Sequence, residues 1–348
     1  MSDTMKAAVM YGVDDIRIEQ VPKPQLTDPD GALVKIGAVG ICGSDVHFLE
    51  EGRIGHFVVE PPFILGHEAA GTILEVGANV KHLKAGDSVA IEPGYPCRKC
   101  EFCRSGRYNL CAEVTFLAAP PTNGVFCQYL AWPSDYLFKL PDTVSLEEGA
   151  MIEPFSVGLH AARRAGIRAG DSVAIMGSGP IGLCALQAAK ANGATTLIAT
   201  DLEAIRLARA TAFGATHTVN LRERDGAEAI LEMTAGRGVD VVLECSGAVP
   251  ALHAAIKSVR RGGMVQLVGN FMEAEPKAPI QALVERELNL SGLFRYVNCY
   301  GASVELISRG IVDTKSLITH HYTLDETLEA MRFVSHHKDQ VVKGVIVP

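Results

Sequence analysis

The chain has 348 residues, enough for two domains at about 150 residues each. Its 48% hydrophobic and 21% charged residues are ordinary for a globular protein and exclude a disordered or fibrous one. Lys and Arg total 32 against 40 Asp and Glu, a net charge of −8 with the signs interspersed, which argues against nucleic acid or an anionic membrane as partner. The start, MSDTMKAAVM, carries Asp3 and no apolar core, so no signal peptide is expected. No uncharged apolar run reaches the ~18 residues of a membrane span. Four of the nine cysteines fall within residues 97–111, and the odd total without an export signal argues against a disulfide framework. That usage points to the cytoplasm and to thiols as metal ligands.

In chain order, residues 1–155 are rich in Gly, Pro and β-branched residues. The strand-like runs GALVKIGAV, GTILEVG and DSVAIEP lie there between turn signals, which predicts an irregular, mostly antiparallel β domain. From Gly170 strands alternate with helical patterns: the strand DSVAIMG, the helix PIGLCALQAAKANG, the strand TLIATD and the helix LEAIRLARATAFG. The strand THTVN, a helix near 225–235, the strand VDVVLECSG, the helix PALHAAIKSVRRGG and the strand MVQLVG follow. Repeated βαβ units predict a doubly wound parallel sheet. The tail reads as the helix GASVELISRG, the helix TLDETLEAMRFVSH with Asp325 as N-cap, and a final strand VVKGVIVP.

Gly177-Ser178-Gly179-Pro180-Ile181-Gly182 fits G-x-G-x-x-G after an apolar strand and at the start of a helix, with Asp201 ending the next strand 19 residues after Gly182. The glycines allow a tight turn and close approach of a pyrophosphate, and the helix N-terminus supplies free N–H groups. Asp201 accepts from ribose hydroxyls and repels a 2′-phosphate, so NAD is favoured over NADP. Arg206, one helical turn on, is the contrary signal, able to stack on adenine or meet that phosphate.

Cys97-x2-Cys100-x2-Cys103-x7-Cys111 offers four thiolates, the donor set of a closed, structural tetrahedral zinc with sulfur at about 2.3 Å. An iron–sulfur cluster uses similar spacings, but its signature puts Pro after the last Cys, and Ala112 stands here. Cys42-Gly43-Ser44-Asp45-Val46-His47 and Gly66-His67-Glu68 lie 25 residues apart in the β domain. Alone, such a His reads as a core residue and such a Cys as a small hydrophobe.

Gly66-His67-Glu68-x2-Gly71-x5-Gly77-x2-Val80, within GHEAAGTILEVGANV, resembles the zinc alcohol dehydrogenase signature. Over essentially its full length the chain resembles the zinc-containing medium-chain dehydrogenase/reductase superfamily. Within it, GICGSDVHFLEEGRIGHFVVEPPFILGHEAAG, AMIEPFSVGLHA and LFRYVN resemble the polyol dehydrogenases, the sorbitol and xylitol enzymes. The resemblance implies an α/β protein with a GroES-like β domain (1–155, completed by 293–348), a Rossmann domain (156–292) and an active site in the cleft between them.

It also implies a catalytic zinc on Cys42, His67 and a carboxylate. Primary-alcohol enzymes usually supply a second Cys where this chain has Glu153. Glu68 and Glu153 are both candidates, one bound directly and the other through water or in alternation; Cys42, His67 and Glu68 are favoured as the core set, with Glu153 beside the metal-bound water. An open zinc position acidifies a bound hydroxyl, which can then release hydride to nicotinamide as the carbonyl forms. A carboxylate in place of a thiolate leaves a harder metal, suited to a vicinal diol. Ser44 is placed, as in the family, to take the alcohol proton and pass it through the nicotinamide ribose toward His47.

By the same resemblance Arg295 and Tyr296 bind polyol hydroxyls, and Phe57, Phe116 and Phe294 wall the pocket. Val268, Gly269, Asn270, Leu293, Phe294 and Arg295 border the cofactor along with the glycine loop. Phe48 stands in the substrate region where animal sorbitol dehydrogenases carry Tyr, which removes a hydroxyl from the polyol network. The family implies two zincs per chain, NAD, a small-molecule polyol or ketose substrate and a homotetramer. Rival readings are another zinc secondary-alcohol dehydrogenase, for butanediol, threonine or a sugar acid, a zinc-free quinone reductase of the same fold, and a non-catalytic nucleotide-binding protein of that fold. Cys127, Cys184, Cys245 and Cys299 are expected as small buried hydrophobes.

Overall fold

The computed structural model describes residues 3–348 except 272 and 274. Two units emerge: Met1–Glu153 with Tyr300–Arg309 and Thr314–Pro348, and Pro154–Cys299 with Gly310–Asp313. The first is thus discontinuous, as expected, but its tail rejoins at Tyr300 rather than 293. Physical anchors explain the difference. Leu293 N–H still donates to Leu267 O, extending the parallel sheet, and the Arg163 guanidinium donates to Asn298 O. Tyr300 is 1% exposed and donates its hydroxyl to Ile91 O, so it is the first residue fixed in the other unit.

The first unit is built on a seven-stranded sheet. Its path runs Leu137–Lys139, Ser88–Ile91, Glu68–Val76, Gly31–Gly40, Lys343–Val347 and Ile318–Thr323, with Tyr129–Pro133 also on Gly31–Gly40. Pairing is antiparallel except between the last two strands of the path, which are parallel and joined through the helix Thr327–His336. Two registers set the chemistry: Gly40 faces Glu68 on one side and Val345 on the other. The final strand of the chain is thereby laid beside a motif that comes some 275 residues earlier. The helix before it does not start on Asp325. Thr323 and Glu326 form the capping box on a short turn, Leu324–Glu326, and Asp325 instead pairs with Lys6 at 2.9 Å.

The second unit carries a six-stranded parallel sheet in the order His217–Asn220, Thr196–Asp201, Ser172–Met176, Val239–Glu244, Val259–Leu267, Asn289–Gly292. Numbered along the chain that is 3-2-1-4-5-6, the doubly wound dinucleotide-binding order. Apolar runs such as Ala174, Ile198, Val242 and Val265 are fully buried, as strands covered on both faces must be. One boundary moves. The helix near 250 spans only Val249–Ser258, and VRRGG, expected to continue it, opens the strand Val259–Leu267. Gly262, at φ +67°, and a register shift opposite Val239/Val241 mark where the periodicity failed.

Candidate functional site

In the first unit the helix Gly43–Glu51 begins at Cys42, and the chain turns through Gly66, at φ +89°, into His67 and Glu68. Ligand atoms of Cys42, His67 and Glu68 all lie within 4.8 Å of one another, with His67 and Glu68 buried. Asp45, which sequence reasoning left without a role, ties these loops together. It is fully buried, accepts from Cys42 N–H and Gly66 N–H at 3.0 Å each, and lies 3.5 Å from His67 Nδ1. Such a carboxylate fixes the ring and tautomer of a metal-binding histidine. Burial opposes charge on His67, but Asp45 and Cys42 outweigh it and hold its pKa well above the ordinary value.

Lys343 was also missed. It is 3% exposed, and its Nζ lies 2.7 Å from Glu68 Oε1 and 2.9 Å from Ile41 O. Burial works against the ammonium, but Glu68, Cys42 and Glu153 together keep its pKa raised. No local sequence signal marks it, since only the sheet register brings it here. Gly40 is the spacer: a Cβ there would meet Glu68 Oε2 at 2.1 Å.

A divalent cation fits this set. Cys42, Asp45, Glu68 and Glu153 are acidic groups gathered in a buried place with Lys343 as their buried cation, and thiolate, imidazole and carboxylate are zinc donors. Glu153, 5% exposed, faces Lys343 electrostatically but is not in the cluster of candidate ligands, so Glu68 is the nearer carboxylate. Ser44 and His47 are half-buried on the helix Gly43–Glu51, three residues apart and so on one face. His47 Nδ1 is buried without a hydrogen-bond partner.

Phe116 lies beside the centre, its ring 5.9 Å from that of His67. Phe57 is half-buried and lines a cavity of about 670 Å³ with His56 and Pro121. Phe48 is 5% exposed and packs in the hydrophobic core, because its helix turns that face inward with Leu49. Glu92 is 2% exposed and takes a 2.7 Å hydrogen bond from Tyr108; burial, with help from Glu153, pushes its pKa up to about 7 despite Tyr108.

The four clustered cysteines meet as the spacing predicts. Sγ atoms of Cys100 and Cys103 are 3.3 Å apart, those of Cys97 and Cys103 3.9 Å, and Cys97 N–H donates to Cys111 Sγ. Sulfurs at 2.3 Å around a tetrahedral ion stand about 3.8 Å apart, so the set fits zinc. Backbone N–H groups of Lys99 and Cys100 pull the Cys97 thiol down, whereas burial and the neighbouring thiols push the Cys103 thiol up to about 12. Of the remaining four, Cys127, Cys184 and Cys299 are buried, whereas Cys245 is only half-buried.

In the second unit the strand Ser172–Met176 runs into Gly177, at φ +88°, and Gly179 caps the helix Pro180–Ala191 with Pro180 and Ile181 in its first turn. A Cβ on Gly182 would sit 1.9 Å from Gly177 O, so only glycine lets the helix pack so close to the turn. At Gly179 a Cβ would meet nothing nearer than Arg206 at 3.7 Å, which leaves room for a ligand. Asp201 is 6% exposed and holds the turn itself, accepting from Ser178 N–H at 2.8 Å and Glu203 N–H at 2.9 Å. Arg206 stands 3.8 Å from Asp201, and its buried Nε has no hydrogen-bond partner.

Val268 and Gly269 N–H groups both donate to Glu244 O, and Asn270 O lies against Gly247, so these loops close over the same sheet end. Leu293, Phe294, Arg295 and Tyr296 belong to this unit. Phe294 is 47% exposed under the Arg295 guanidinium at 4.7 Å, and Tyr296 is 3% exposed.

Comparison with known proteins agrees with both halves. Residues 28–142 match the family model for the alcohol dehydrogenase GroES-like domain, and 180–309 match that for zinc-binding dehydrogenase. A sorbitol dehydrogenase of Bacillus subtilis (strain 168) is 49% identical over 99% of this chain and 97% of its own. A protein described as "Probable D-xylulose reductase A", from Aspergillus terreus, is 41% identical over 97% of each. Among solved structures, a zinc-binding dehydrogenase of Sinorhizobium meliloti 1021, described as putative and bound to NADP, superposes with a TM-score of 0.91 at 31% identity over 100% of both chains.

Proposed function

The chain belongs to the zinc-binding dehydrogenases that carry an alcohol dehydrogenase GroES-like domain, and from that premise we propose NAD-linked oxidation of a secondary hydroxyl of a polyol, xylitol or sorbitol first, to the ketose. The carrying observation is the Cys42–His67–Glu68 set, with His67 and Glu68 buried and a carboxylate as third donor, in one chain with a complete dinucleotide turn. Cys42, His67 and Glu68 would hold a zinc ion that would supply Lewis acidity toward the substrate hydroxyl, and the glycine turn would hold a dinucleotide that would supply the hydride acceptor.

The remaining work falls to this chain's own groups. Asp45 holds the His67 ring. Lys343 balances Glu68, and Glu153 lies within their field. Ser44 takes the hydroxyl proton, and His47 Nδ1 is its onward acceptor. Arg295 and Tyr296 bind polyol hydroxyls, with Phe57, Phe116 and Phe294 as apolar walls. A second, structural zinc belongs to Cys97, Cys100, Cys103 and Cys111.

The Asp201 charge supports NAD over NADP. A dual or NADP preference is favoured by one observation, the unpartnered Nε of Arg206. This reading includes a cytoplasmic homotetramer without nucleic-acid or membrane partners; among the described residues no helix is long and apolar enough to cross a membrane. The test is a panel of polyols, butanediol, threonine and sugar acids with NAD and NADP. Turnover of xylitol or sorbitol with NAD is expected. Turnover confined to non-polyols overturns the substrate assignment, and nucleotide binding without turnover of any alcohol overturns the enzyme assignment.

A further inference from the structure

The segment carrying Cys97 to Cys111 has almost no core of its own: within 97–111 only Asn109 and Cys111 are buried. Fixing a backbone costs conformational entropy at every residue, so a coreless lobe depends on cross-linking of its thiols by a metal. Two side chains join the lobe to the centre at Cys42, His67 and Glu68.

Tyr108, inside the lobe, donates to Glu92 Oε1 at 2.7 Å. The Glu92 backbone is itself pinned, donating to Tyr136 O and accepting from the Trp132 indole N–H, both at 2.9 Å. Ile91 pairs with Ala69 in an antiparallel ladder, so the next register position sets Glu92 beside Glu68. Phe116 ends the lobe's stem, where Thr115–Phe116 pairs with Gly94–Tyr95. Its ring lies over Gly94, where a Cβ would meet it at 2.7 Å, and 5.9 Å from the His67 ring.

We propose that the cysteine lobe braces the Cys42–His67–Glu68 centre, with Tyr108 and Phe116 as positioning residues that make metal retention there depend on metal in the lobe. The proposal rests on the two-zinc reading above and not on the substrate. The physical reason is that a ring packed on a ligand's imidazole and a hydrogen bond to a neighbouring buried carboxyl restrict the donor atoms only while the lobe is ordered.

The experiment compares wild type with Cys100→Ser, Tyr108→Phe, Phe116→Leu and Phe116→Tyr. Each is zinc-loaded for chelator-driven release, and cobalt-loaded for its visible spectrum, with Cys42→Ala giving the lobe's signal alone. Cys100→Ser is expected to hold one metal and release it about 10-fold faster than wild type releases the metal at Cys42. Tyr108→Phe and Phe116→Leu keep two metals, yet release the one at Cys42 several-fold faster and shift its cobalt bands; Phe116→Tyr, which keeps the ring, restores both. Wild-type release rates and unshifted cobalt bands in Tyr108→Phe and Phe116→Leu overturn the proposal. Those two decide it also where Cys100→Ser fails to fold. No readout needs substrate, so a failed polyol assignment leaves the test intact, whereas a wild-type chain taking up no metal at Cys42 refutes the two-zinc reading first.

Discussion

Asp45 and Lys343 organise the Cys42–His67–Glu68 cluster although the first had no role assigned within its motif and the second lies far outside it. Asp45 joins the Cys42 and His67 loops through two backbone N–H groups, so Asp45→Asn is expected to lower metal affinity there 10–100-fold, measured by chelator competition. Lys343 is the buried cation beside Glu68. Lys343→Met leaves that carboxylate buried and unpaired, a loss of about 3–5 kcal/mol in the metal-free protein, and bound zinc should recover part of it. Urea unfolding with and without chelator reads this; an equal loss in both would show that the metal and Lys343 do not share the charge of Glu68. Asp45 stands three residues after Cys42 in the sequence, but its role follows only from the helix Gly43–Glu51, which a β-rich reading of this region does not include. Lys343 was not visible, because its partner is chosen by strand register. Phe48, within the helix Gly43–Glu51, packs in the core because that face turns inward, which the motif around it does not reveal.

At the scale of elements, the strand–turn–helix of the dinucleotide loop was readable because its constraints are local. Gly182→Ala pushes a methyl to 1.9 Å from Gly177 O. Nucleotide binding, followed by calorimetry, should fall at least 10-fold while far-UV dichroism stays unchanged. The neighbouring strand is held by Asp240, which accepts from Ser172 N–H and Oγ, Arg237 and Arg260. Burial opposes its charge, but Arg237, Ser172 and Arg260 outweigh burial and hold its pKa well below the ordinary carboxylate range. A depressed native pKa contributes stability above the unfolded value of about 3.9 and loses it as pH falls further. Asp240→Asn should therefore cost about 1–3 kcal/mol, constant from pH 8 to 5, with the gap to wild type closing below about pH 4 in denaturant titrations. The helix Val249–Ser258 ended earlier than its apolar spacing suggested. Its continuation, Val259, pairs in the sheet, and pairing overrode the helical pattern.

For the whole molecule, the two metal sets predict separable losses. Cys42→Ala should abolish turnover at nearly unchanged melting temperature. Cys100→Ala should lower the melting temperature by several degrees and leave one zinc per chain by elemental analysis, against two in the wild type. An identical stability loss in both variants would contradict the division into catalytic and structural sites. The unit boundary also belongs to this scale. The segment 293–299 stays with the parallel sheet through Leu293 and Asn298, and Tyr300 begins the return.

The sequence by itself determined the parallel sheet, the glycine turn, the four-thiol lobe and the candidate pair Cys42 and His67. Each is written in short spacings, and short spacings carry helix starts, tight turns and chelate geometry. Only the tertiary structure decided that Lys343 reaches Glu68, that Asp45 ties the two loops together, that Phe48 lies in the core, and that Tyr108 meets Glu92 and Phe116 the His67 ring. Those outcomes depend on strand register and on which face of an element is buried, and both are settled by packing between distant segments.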